Sequence, residues 1–91
     1  MAIMGVQFKV MPTSPETDLE KLKSAIKEKI ESFESGVLSN VEEQPIAFGL
    51  KALIITFALP EEQEVDEVEN SINEIEEVSS VELIDYRRAV G

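Results

Sequence analysis

The chain has 91 residues, 43% of them hydrophobic, enough for one domain over 1–91 with one core and too apolar for a disordered chain. It contains neither cysteine nor histidine, which excludes disulfides, thiolate nucleophiles, Cys/His zinc sites and histidine general bases together. A net charge of −11 argues against an autonomous nucleic-acid binder, whose affinity comes from lysine and arginine on phosphates, and leaves a basic protein partner open.

The first element is MGVQFKVMP, 4–12. Val6, Phe8 and Val10 alternate with Gln7 and Lys9, the pattern of a half-buried strand ended by Pro12. A helix follows. Thr17 with Glu20 fits a capping box, and Ser14–Pro15 is an alternative start. Leu19, Leu22, Ile26, Ile30 and Phe33 recur at helical spacing, with Lys21, Lys23, Lys27 and Lys29 mostly off that stripe. The helix should run about four turns, with Gly36 just past its end.

GVLSNVEEQP, 36–45, reads as a polar strand at an edge or a long twisted one, and Pro45 ends or turns it. Leu50–Leu59 is the strongest strand. Leu53, Ile55, Phe57 and Leu59 share one face and Leu50, Ala52, Ile54, Thr56 and Ala58 the other, so a central position is expected. PEEQE, 60–64, is a loop. Val65, Val68, Ile72 and Ile75 then define a second amphipathic helix. The last strand is VSSVELIDYRR, 78–88. Its apolar phase conflicts with itself, since Val81/Leu83 and Ile84/Tyr86 fall on opposite faces, and a bulge or burial on both sides would resolve this.

The order β-α-β-β-α-β predicts a ferredoxin-like split βαβ sandwich of α+β class. Right-handed crossovers would put both helices on one face of a four-stranded antiparallel sheet. No stretch reaches the ~20 apolar residues of a membrane span, and the N-terminus lacks the basic-then-apolar pattern of a leader. A soluble cytoplasmic protein is expected.

Chemistry-bearing features are few. Nine carboxylates and no base lie between Glu61 and Glu77. Without the spacing of a calcium loop they read as a solvated helix face, with steering of a basic partner as the other reading. No glycine-rich phosphate loop is present, and no serine has a general base. No metal or cofactor and no bond chemistry of the chain's own are expected. Beyond Leu59 the only bases are Arg87 and Arg88. They are either a charged strand end or a source of a guanidinium that reaches a partner's phosphate or carboxylate. Phe48, between Ala47 and Gly49 and three residues past Pro45, is either a core plug that begins the strand or an aromatic displayed to a partner.

Three segments carry a more specific signal. KVMPTSPETDLEKL, EEQPIAFGLKAL and VSSVELIDYRR together resemble the archaeal translation elongation factor 1-beta family and the C-terminal exchange domain of the eukaryotic elongation factor 1B alpha subunit. The similarity spans essentially the whole chain, and PIAFGLKAL is its most specific element. The resemblance implies a guanine-nucleotide exchange factor for elongation factor 1-alpha, meeting that GTPase in its GDP/Mg-bound and nucleotide-free forms. It implies an exposed Phe48 in a pocket of the GTPase near its nucleotide-binding elements, close to the chain end, with Ala47, Gly49 and Lys51 around it. It also implies a basic side chain from the last strand directed at the magnesium and phosphate site. The eukaryotic relatives carry lysine there; here Arg88 aligns with it and Arg87 is its neighbour. Lys51 fits a snorkelling or rim role. Two other readings of the same fold are a small-ligand-sensing regulatory domain, dimeric through its sheet, and a structural assembly module indifferent to nucleotide.

Overall fold

A computed structural model describes residues 2–33 and 36–90. Its elements in order are β1 (Ile3–Pro12), α1 (Leu19–Glu31), β2 (Val37–Pro45), a tight turn (Ala47–Gly49), β3 (Lys51–Pro60), α2 (Val65–Asn73) and β4 (Val78–Val90). The strands form one antiparallel sheet in the order β2-β3-β1-β4, and with the two helices this is the ferredoxin-like α+β sandwich that the alternation of elements predicts.

The two central strands supply the core. Val6, Phe8 and Val10 of β1 and Leu53, Ile55, Phe57 and Leu59 of β3 are buried and point at the helices. Leu22, Ile26 and Ile30 of α1 and Val68 and Ile72 of α2 close over them. The Phe8 and Phe57 rings meet edge to face with centroids 5.0 Å apart, the geometry that aligns a positive ring edge with a negative face. The opposite face of β3 carries Ala52, Ile54, Thr56 and Ala58. There Gln7 donates to the Thr56 hydroxyl at 3.0 Å across the β1–β3 pair. Among the described residues no buried side-chain nitrogen or oxygen lacks a hydrogen-bond partner.

β2 is the polar edge strand that its composition predicts. The conflicting phase of the last strand is resolved by a bulge. Phe8 pairs with Leu83 and Gln7 with Asp85, so Ile84 is the extra residue and Leu83 and Tyr86 come to the same face.

The helix start differs from both sequence-based expectations. Asp18, not Thr17, is the N-cap, and its carboxylate accepts from the Glu20 and Lys21 amides. Ser14–Pro15 does not start the helix either. The Ser14 hydroxyl accepts from the Glu16 amide and its carbonyl from the Thr17 amide, which makes 14–17 a separate turn. At the other end Ser32 is the C-cap, and Gly36 lies further out, where its amide donates to the Phe33 carbonyl. A Cβ at Gly36 would stand 2.3 Å from the Ile30 carbonyl oxygen, so only glycine lets the chain pass so close to the helix end.

Candidate functional site

Among the described residues, the turn after Pro45 has the most unusual backbone. Phe48 has φ +63 and Gly49 φ +79. The Leu50 amide donates to the Ala47 carbonyl and the Ile46 amide to the Leu50 carbonyl, at 3.2 and 2.7 Å. Positive φ at two successive turn residues is the requirement of type I′ turns, where Asn-Gly or Gly-Gly usually stands. Glycine meets it without strain at position 49. An aromatic at position 48 does not, and a bulky residue in this region is an outlier. The ring gains nothing from burial in return, because Phe48 is 94% exposed. Phe48 is therefore a displayed side chain and not a core plug.

A polar clamp stands at the root of this turn. Glu43 pairs across the ladder with Leu53, on the helix-bearing face of β2. It accepts from the Lys23 ammonium of α1 at 2.9 Å and faces the Lys51 ammonium at 3.7 Å. Glu20 adds a second carboxylate 3.8 Å from Lys23. The hydrogen bond from Lys23 holds the Glu43 carboxyl below its usual range, and the same bond raises the Lys23 ammonium. Lys51 is exposed and tied to Glu43. The inward position of Glu43 was legible in β2, where a glutamate interrupts an inward series begun by Leu38 and Val41, but its partner Lys23 was not.

The two arginines part company. Arg88 pairs with Met4 on the helix-bearing face, and its Nη2 lies 3.6 Å from a Glu61 carboxylate oxygen. Arg87 pairs with Gly5 on the opposite face, and its Nε donates to Asp85 at 3.2 Å. Neither lies near Phe48. Arg88 sits beside Met4, and Met4 beside Leu59, whereas Phe48 precedes Lys51. The stretch of β3 from 51 to 59, at ~3.3 Å per residue, separates the two levels by about 26 Å. The expectation that Phe48 lies close to the chain end is overturned. β3 and β4 both run antiparallel to β1, so they are parallel to each other, and the start of one and the end of the other lie at opposite ends of the sheet.

Among the described residues no group of three or more His, Cys, Asp or Glu side chains is placed to hold a metal ion, and no helix is long and apolar enough to cross a membrane. Phe48 thus stands exposed at one end of the sheet, and the two arginines, paired with Asp85 and Glu61, lie at the other. Comparison with known proteins identifies the kind of protein. Residues 5–88 match the model of the EF-1 guanine nucleotide exchange domain. The chain is 40% identical over 90 residues to elongation factor 1-beta of Methanocaldococcus jannaschii, covering 98% of this chain and all of that protein. It is 42% identical over 91 residues to elongation factor 1-beta of Methanosphaera stadtmanae, covering 97% and 98%. The same protein of Nanoarchaeum equitans is 40% identical over 83 residues, 90% of this chain and all of the relative. The chain belongs to the elongation factor 1-beta family of archaeal exchange-domain proteins.

Proposed function

We propose that the whole chain is a single guanine-nucleotide exchange domain, which speeds GDP release from translation elongation factor 1-alpha so that GTP replaces it. The observation that carries this reading is Phe48, held outward at 94% exposure in a backbone conformation that disfavours it. Strain of this kind, on the order of 1–3 kcal/mol, persists where the surrounding structure fixes it and is a mark of functional turns. An exposed aromatic is the common anchor of a protein interface.

Exchange needs no bond chemistry. A factor that binds the nucleotide-free GTPase more tightly than the GDP-bound form weakens GDP binding by the same ratio. Phe48 supplies anchoring energy, with Ala47 and Gly49 allowing the partner's close approach and Lys51 at the rim. Arg88 supplies the cation. Its link to Glu61 is long and joins two exposed groups, so releasing the guanidinium costs little. Once free, a delocalised cation with five donors suits a phosphate or a carboxylate that holds magnesium. Arg87, committed to Asp85, is the weaker candidate.

The test is stopped-flow release of fluorescent GDP from archaeal elongation factor 1-alpha with and without this protein. A large acceleration that rises with its concentration is the expected result. No acceleration with an active cognate GTPase would overturn the proposal.

A further inference from the structure

We propose that the cleft between the β3–α2 loop and β4 docks a lysine- or arginine-bearing segment of the GTPase; this deepens the exchange reading and rests on it. The cleft has a volume of 390 Å³. Leu83 and Tyr86 of β4 face it and are 43% and 42% exposed, while their neighbours across the ladder, Phe8 and Val6, are fully buried. The bulge at Ile84 is what brings both side chains to this face. Half-exposed large apolar side chains lining one cleft form a surface for a partner.

The rim selects the partner. Glu61, Glu62, Glu64 and Asp66 surround the apolar pair, and no base is among the lining residues. Asp66 has a structural role in the first turn of α2, where the helix favours an acid. Glu61 and Glu62 lie in the preceding loop, and Glu64 occupies the N-cap position without a side-chain capping bond. Their carboxylates are not needed to build the helix. A carboxylate ring over an apolar floor fits a side chain with an aliphatic stem and a cationic head. The Tyr86 ring adds attraction for a cation over its face. An anionic partner is repelled, and a second copy brings −11 against −11. Arg88 stands at the edge of the cleft through Glu61, so an incoming cation competes for Glu61 at the arginine that the exchange reading uses.

The double variant Glu62→Lys/Glu64→Lys and the single variant Tyr86→Ser test this in the full chain. The readout is the half-saturating concentration for GDP release across a salt series. Charge reversal should raise that concentration about tenfold and flatten its salt dependence, with the maximal acceleration kept, because complementary charge acts mainly on encounter and affinity. Tyr86→Ser should raise it about threefold. Should Tyr86→Ser fail to fold, the double variant Glu62→Lys/Glu64→Lys carries the test alone. Unchanged half-saturation and salt slope beside an active wild type would overturn the cleft assignment and leave the exchange reading standing. No acceleration by the wild type would overturn both. A wild-type dimer in sedimentation that the charge reversal disperses would assign the cleft to a second copy instead.

Discussion

The Lys23 ammonium donates to the Glu43 carboxylate at 2.9 Å and thereby ties α1 to the edge strand just before the turn that carries Phe48. A carboxyl held below its usual pKa contributes stability above the ordinary glutamate value, ~4.3, and loses it as pH falls through the lower folded-state value. The raised Lys23 contributes below ~10.4 and is lost only as pH rises through its higher folded-state value. The bridge is therefore intact across neutral pH. Glu43→Gln should lower the urea midpoint at pH 7, and the gap to wild type should close on acidification below the carboxylate range. A gap of equal size at both ends of an acid series would refute the clamp.

Phe48 and Phe57 should respond oppositely to truncation. Phe57→Ala empties a site packed against Phe8 and should cost about 3–5 kcal/mol. Phe48→Ala should leave stability within about 0.5 kcal/mol and abolish acceleration of GDP release. Phe48→Asn goes further, since asparagine tolerates positive φ; it should gain up to ~1 kcal/mol while exchange is lost. Chemical denaturation beside the stopped-flow assay checks all three, and a strongly destabilised Phe48→Ala would contradict the displayed ring.

For the arginines, Arg88→Ala should slow exchange at saturating protein by about tenfold or more, the worth of a hydrogen bond to a charged group. Arg87→Ala should change it by less than ~3-fold, as its Nε already serves Asp85. Equal losses in the two variants would mean that neither guanidinium has a distinct role.

Gly36→Ala probes the helix exit. The added methyl meets the Ile30 carbonyl at 2.3 Å, backbone that cannot swing away. A loss of about 1–3 kcal/mol is expected by thermal or urea denaturation. A neutral outcome would show that the chain can lift off the end of α1.

How far the sequence revealed these features depends on which physical effect governs each. Strands and helices were legible because burial writes itself as a period of two or of 3.6 residues. Even the bulge was visible, as a phase conflict between Leu83 and Ile84 that no regular strand can satisfy. The helix start was not, because Thr17 and Asp18 are both good caps and the choice depends on the turn that Ser14 closes. Phe48 was ambiguous for a different reason. Composition fits a plug and a displayed ring equally, and a backbone dihedral decides between them. The Lys23–Glu43 and Arg88–Glu61 pairs are contacts between segments distant in sequence, which periodicity does not encode. The separation of Phe48 from Arg88 was within reach, since the strand order alone makes β3 and β4 parallel.

That separation has a mechanical consequence. The two ends are joined by β3 and β1, hydrogen-bonded to each other along nearly their whole length, so they cannot approach or spread independently. On the exchange reading the domain then behaves as a fixed-jaw caliper. Each jaw alone is a weak grip, and the second engages at high effective concentration only when the GTPase presents its two contact points at the matching span. A GTPase conformation with another span would be held by one jaw and released. Discrimination between nucleotide states would then lie in a distance set by the length of a β-strand, and lengthening or shortening β3 and β1 together would retune it without touching either contact.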